Sequence, residues 1–204
     1  MKLFKKRVPK GEFGYIEGAA GFAIIRTTIS VLACVVIFLI GLLIYHTNKS
    51  AFSIIAALGC IPAGLSAVNM IMYLRAHRCS KEAYDRIEAH RGGLLIRYEL
   101  EMTSYDENYG ISAATVLDKN VCCYSEVKDL DTADCEKHIR NQIAQSGYSS
   151  YTVKVFKDLD AFCSRLDQLE QIRVSKNIDP QAIEDAWVPG TVETCAHVLL
   201  SISL

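Results

Sequence analysis

Several signatures of familiar chemistry are missing from this chain. No glycine-rich phosphate loop follows a strand-like run, no Cys-x-x-Cys pair sets thiols at tight zinc-ligand spacing, and Ser112 has no histidine and aspartate within inferable reach. Phosphate-loop nucleotide chemistry, a zinc-ribbon site and a serine-hydrolase triad are thereby disfavoured. There is no internal repeat and no low-complexity segment, so solenoids and linker-like tails are set aside. No small-x-small cleavage pattern follows the first apolar run, which counts against a signal peptide. Eight cysteines are present, but they lack the rhythm of a disulfide framework and fit a reducing compartment.

The clearest features present are two uncharged apolar runs. Residues 27–45 (TTISVLACVVIFLIGLLIY) would span about 28 Å as a helix, and residues 52–74 (FSIIAALGCIPAGLSAVNMIMYL) roughly 34 Å, against a bilayer core of about 30 Å. They predict a two-helix transmembrane hairpin. Lys2, Lys5, Lys6, Arg7 and Lys10 precede it, Arg75, Arg78 and Lys81 follow it, and the connecting HTNKS holds only Lys49. Lys and Arg near short loops resist translocation, so a multi-pass protein of the cell membrane with both termini cytoplasmic is expected. The Asn48-Lys49-Ser50 glycosylation triplet is read as chance, because it would lie against the membrane in a short turn.

Within the second run Gly59, Ala63 and Ala67 recur every four residues, a small-residue stripe for close helix packing, and Asn69 offers a polar contact to the first span or to a second copy. Arg26 is placed to snorkel to the headgroups. Neither run carries an ionisable group near its centre, so anchoring is favoured over transport. Residues 1–26 read as a basic and interfacial segment that turns into the first span.

Charge divides along the same line. Residues 1–78 carry nine Lys and Arg against two Asp and Glu, whereas residues 79–204 carry thirteen against twenty-one. The acidic part should be repelled by an anionic inner leaflet and is a poor binder of nucleic acid.

Residues 79–204 predict an α+β domain with a mixed or antiparallel sheet. Cys79–Arg91 reads as a helix continuing from the membrane. In residues 94–103, Ile96, Tyr98, Leu100 and Met102 alternate with Arg97, Glu99, Glu101 and Thr103, the pattern of a half-buried strand with one polar face. Residues 111–117 and 121–125 flank DKN, a three-residue hairpin loop. Asp131 caps a helix over 132–145, residues 151–156 form a fourth strand, and Asp158 opens a helix whose Leu159, Phe162, Cys163, Leu166 and Leu169 share one face. Asp179 and Pro180 start a short helix through Trp187, broken by VPGT. The tail is ambiguous: Val198, Leu200, Ile202 and Leu204 alternate like a strand, while the preceding residues suit a helix.

Glu126, Val127 and Lys128 end the third strand-like run in the E-x-K spelling used by metal-dependent nucleases. Together with the order helix, three-stranded meander, helix, strand, this tripeptide gives residues 80–156 a resemblance to the restriction-endonuclease-like PD-(D/E)xK core. The resemblance implies that Glu126 shares a magnesium ion with an Asp on the preceding strand while Lys128 positions a water. Pairing across DKN instead sets Glu126 opposite Ser112, with Ile111 and Ala113 beside it, and Asp106 and Asp118 each about six residues away, roughly 20 Å at strand rise. The expected Asp is not found.

Cys122 and Cys123 should point to opposite faces of a strand. Cys135 with His138, and Cys195 with His197, share faces that a zinc ion would need to bring together. His46, His77 and His90 are isolated. No cofactor is implied. The leading expectation is a membrane anchor presenting an acidic domain for protein interaction or regulation of a membrane complex. The alternatives are a membrane-tethered nuclease-like hydrolase and an oligomeric membrane subunit packed through small residues.

Overall fold

The computed structural model describes residues 8–47, 50–104, 107–188 and 191–204. Lys2, Lys5, Lys6, Arg7, the Asn48-Lys49 pair, Asp106 and the Pro189-Gly190 break lie outside the described residues. The chain divides into two compact units, one containing residues 16–76 and the other residues 8–15 and 77–204.

In the first unit, α1 (Tyr15–Tyr45) and α2 (Ala51–Arg75) are both long and apolar enough to cross a membrane. Only 11% and 17% of their most apolar windows are buried, so neither resembles a helix enclosed in a core. Ser50 caps α2 by accepting the Ser53 N–H, and α2 continues through Pro62. The two helices meet along a seam with a seven-residue period. Thr27 shares a 2.8 Å hydroxyl contact with Ser66, a Cβ on Gly59 would meet the Cys34 sulfur, and one on Gly41 would meet Phe52. Ala56, Ala63 and Ser66 are the buried residues of α2. Gly59 and Ala63 lie on this seam, whereas Ala67 is only half-buried and Asn69 is exposed. An α-helix meeting a partner along a 3.5-residue repeat returns to the same face after seven residues, not eight, so Ser66 takes the place expected for Ala67. Arg26 Nε adds a 3.1 Å bond to Ser66 Oγ.

The expected boundary at residue 26 is not where the chain divides. α1 is already helical from Tyr15, with no turn before residue 27, and residues 8–15 join the second unit. There the Gly11 carbonyl accepts the Tyr98 N–H at 2.8 Å, Lys10 Nζ donates to the Ser203 carbonyl at 2.7 Å, and the Phe13 ring stacks on Tyr84 with centroids 4.2 Å apart. Gly11 needs its missing side chain: its φ is +85°, and a Cβ would sit 2.6 Å from Leu200 Cδ2.

The second unit is an α+β domain. After α2 the helix does not continue: Ala76 is extended and α3 (Lys81–Ala89) restarts behind the Ser80 cap. The strands β1 (Ile96–Thr103), β2 (Asn108–Leu117), β3 (Asn120–Tyr124) and β4 (Thr152–Phe156) form one mixed sheet in that order, antiparallel except for β3 with β4. The parallel pair is connected through α4 (Thr132–Gln145), capped by Asp131, as a parallel crossover requires a long connection. α5 (Leu159–Lys176), capped by Asp158, ends at Asn177 in the left-handed region. α6 (Pro180–Asp185) and α7 (Cys195–Ser201) complete the unit.

The β2–β3 loop has two residues rather than three. Asp118 and Lys119 have φ of +44° and +63°, and Leu117 pairs with Asn120, which makes a type I′ hairpin. The tail is helical up to Ser201: Cys195, Ala196, Val198 and Leu199 are buried at helical spacing, and only Ser203 bridges to Met102.

Each face of the sheet carries its own core. Ile139 and Ile143 of α4 and Val198 and Leu199 of α7 pack with Val121 and Val153, while Ile87 of α3 and Phe162, Leu166 and Leu169 of α5 pack with Cys122 and Tyr124. β1 crosses between them. Ile96 and Tyr98 belong to the α3–α5 side, Leu100 and Met102 to the α4–α7 side. The change falls at Glu99, whose φ of +56° interrupts the two-residue alternation. The single polar face expected for this strand is absent, and both Glu99 and Glu101 are buried.

Candidate functional site

Glu126 and Lys128 lie beyond the end of β3 rather than on it. Glu126 Oε2 accepts the Ser80 N–H at 2.8 Å and thereby supports the start of α3, while its own N–H donates to Ser112 Oγ at 3.3 Å. The ladder runs one residue off the expected register, Ala113 facing Tyr124 and Leu117 facing Asn120, so the expected strand pairing of Glu126 with Ser112 is absent and only this bond to the Ser112 side chain links them. Lys128 is exposed in a turn, where its carbonyl accepts from Lys157 Nζ at 2.7 Å. Sequence reasoning sought a second carboxylate only on the hairpin partner, but the next strand brings Glu99 level with Ser112, between the pairs Tyr98–Ala113 and Leu100–Ile111. Burial above all, then the charges of Glu126 and Glu99, push the Cys79 thiol up to about 12. Burial likewise raises Glu101, partly offset by the His77 N–H, which donates to it at 3.1 Å. Among the described residues, no three His, Cys, Asp or Glu side chains gather in a way that would hold a metal ion.

The imagined zinc pairs do not converge with their histidines. Cys135 and Cys195 sit with Cys123 in the α4–α7 core, where burial raises the Cys123 thiol well above its ordinary value and its thiol neighbours add to the effect. The His138 ring packs on Tyr109 and the His197 ring on Trp187, with centroids 5.2 and 4.4 Å apart. Cys122 and Cys123 do face opposite cores.

A different site is assembled from segments far apart in sequence. A cavity of about 190 Å³ lies beside β1, β2, α6 and α7, with Leu95, Val116, Tyr151, Ile183 and Leu199 among its apolar walls. Three charged residues, Arg97, Asp118 and Glu184, also line it, and Asp118 is engaged by Lys176. The Glu184 side chain is 7% exposed, and its Oε2 is 3.7 Å from the Arg97 guanidinium and 2.9 Å from His197 Nδ1. The hydrogen bond of that imidazole nitrogen is made instead with Thr194 Oγ1, also at 2.9 Å. Arg97 Nε, Glu184 Oε2 and, behind His197, Trp187 Nε1 are all buried without a hydrogen-bond partner. Buried polar atoms are normally satisfied, so three orphans in one neighbourhood mark the site as unusual. No local sequence pattern announced it: Arg97, the second residue of β1, takes its place among the polar alternates Glu99, Glu101 and Thr103.

Compared with protein-family models, curated proteins and solved structures, the chain matches none of them, so the reading of its function rests on this geometry alone.

Proposed function

We propose that this chain is a membrane-anchored protein in which α1 and α2 cross the bilayer as a hairpin. The α+β unit is held on the cytoplasmic side, where it engages a protein partner or regulates a membrane complex. The observation that carries the reading is the exposure of the two long apolar helices: outside lipid they would leave Leu32, Leu43, Ile54 and Leu65 at 60–72% exposure. Residues 8–15 and 77–204 form one unit, which supports an even number of crossings, since the chain entering α1 and the chain leaving α2 then share one side. Lys and Arg flanking the helices favour the cytoplasm as that side. For the partner, Val188 and Val192 of the globular unit are 58% and 82% exposed, apolar surface of the kind that interfaces cover.

The nuclease-like reading keeps one supporting observation, the order α3, β1, β2, β3, α4, β4, which is that of the resemblance noted in the sequence. The engagement of Glu126 with the start of α3 weighs against it.

Topology is tested by labelling intact cells after native thiols are blocked. Asn48→Cys should react with a membrane-impermeant maleimide, and Glu107→Cys only after lysis. Equal or reversed labelling would overturn the arrangement.

A further inference from the structure

Every residue around the cavity beside β1, β2, α6 and α7 belongs to the second unit, so what it holds does not depend on whether α1 and α2 span a membrane. The charges at its wall are met by the protein itself. Glu184 Oε2 lies 3.7 Å from the Arg97 guanidinium and 2.9 Å from His197 Nδ1, and Asp118 is engaged by Lys176. A charged ligand would give up its hydration and find no counter-charge left over. The rest of the wall is mainly apolar, with Leu95, Val116, Ile183 and Leu199 arriving from separate segments. A well-held water makes about three hydrogen bonds, which such walls supply poorly, so an apolar molecule that displaces water there gains free energy. Tyr148 and Tyr151 add aromatic surface to the wall, their rings edge to face with centroids 5.0 Å apart, an arrangement that a further ring can extend. Ile183 is 53% exposed, which sets the mouth of the cavity at α6. Size sets the rest: an engineered cavity of about 150 Å³ accepts benzene, so one of about 190 Å³ admits a single ring with a short alkyl group.

We propose that this cavity is a binding site for an uncharged, apolar ligand built on a single ring, of the size class of an alkylbenzene. The apolar walls take the ring, and the lack of a spare counter-charge excludes the corresponding acid.

Trp187, the single tryptophan of the chain, stacks on His197 in the second unit and reports its unfolding. The full chain in lipid nanodiscs is unfolded with urea at rising free concentrations of toluene, benzoate or naphthalene. A ligand held by the native state alone stabilises it as the logarithm of its free concentration once that exceeds Kd, and the urea midpoint rises accordingly. Toluene should produce this rise. Benzoate, which is charged, and naphthalene, which is a ring too large, should each need at least tenfold more for the same rise. Val116→Phe fills the cavity from β2 and should increase the toluene concentration needed at least fivefold, whereas any effect of toluene on the lipid or on the unfolded chain is shared with the wild type. Ala196→Leu fills the cavity from α7 and stands as the test if Val116→Phe fails to fold. Absence of a toluene-dependent rise, an equal rise with benzoate or naphthalene, or an unchanged toluene response in a folded cavity-filling variant would overturn the proposal.

Discussion

Phe162→Ala tests whether the α3–α5 side of the sheet is as densely packed as its geometry indicates. The Phe162 side chain is fully enclosed, stacked on Tyr124 at 5.6 Å between centroids and tilted against Phe156 at 5.9 Å. Truncating a buried Phe to Ala costs about 3 to 5 kcal/mol through lost transfer energy and the cavity left behind. Two aromatic pairs, each worth about 0.5–1.5 kcal/mol beyond area burial, place this site near the upper end, at about 4 to 5 kcal/mol. Such a loss is a large share of the roughly 5–15 kcal/mol that holds an ordinary domain together, and corresponds to a fall in Tm of about 12 to 20 °C. Phe162→Leu, which keeps most of the volume, should cost about 1.5 kcal/mol or less. The assay is urea unfolding in nanodiscs followed through Trp187, because far-UV circular dichroism would be dominated by helices that stay folded in lipid. The slope of free energy against urea should be unchanged, with only the midpoint moving. If Ala and Leu at this position cost the same, the side chain is not the packed centre described, and the two-core account of the sheet is wrong.

Glu126→Ala should destabilise the globular unit by about 0.5–1 kcal/mol, the net value of the bond to the Ser80 N–H. Magnesium should leave the wild-type urea midpoint unchanged; a magnesium-dependent rise abolished by Glu126→Ala would favour the nuclease-like reading. Gly11→Ala forces a side chain into the left-handed region and towards Leu200, and should cost about 1–2 kcal/mol by the same urea assay; an unaltered midpoint would remove residues 8–15 from the stable unit. Ala63→Leu should separate α1 and α2, lowering their association in a two-fragment bilayer assay about tenfold, equivalent to about 1.4 kcal/mol. The Cys79 thiol, raised to about 12 mainly by burial, is protonated below that pH, so in the folded protein it should resist iodoacetamide at pH 8 and react once unfolded; labelling in the folded state would contradict the environment described.

What could be read from the sequence was what local interactions decide. The caps Asp131 and Asp158 and the buried face of Phe162, Leu166 and Leu169 follow from helix-end hydrogen bonding and a 3.6-residue repeat, and both helices form as expected. The reversal of β1 at Glu99 did not, because Ile96, Tyr98, Leu100 and Met102 alternate perfectly and only contacts from both layers of helices favour the left-handed residue. The tail was ambiguous for the same reason: Val198, Leu200, Ile202 and Leu204 alternate like a strand, and the Thr194 cap with the burial of Cys195, Val198 and Leu199 makes the helix. For the candidate site, the expected register was one residue off, because Asp118 and Lys119 close the turn without Asn120, and Glu99 arrives from a strand farther off. The Arg97–Glu184 cavity draws on β1, β2, α6 and α7, so no window of sequence contains it.

The seating of residues 8–15 against a domain that otherwise begins at residue 77 has a consequence for how the protein is made. The carbonyl that Lys10 holds, on Ser203, is 193 residues later, so this contact forms only after all of the chain between them exists. Closing so long a loop from an unfolded chain carries an entropic cost that grows with its length. The seam joining Thr27 to Ser66 and Cys34 to Gly59, where it forms first, takes out of that loop the 39 residues that separate Thr27 from Ser66. Loosening the helix pair inside the membrane should therefore delay folding of the domain outside it, even where no residue of that domain has been changed.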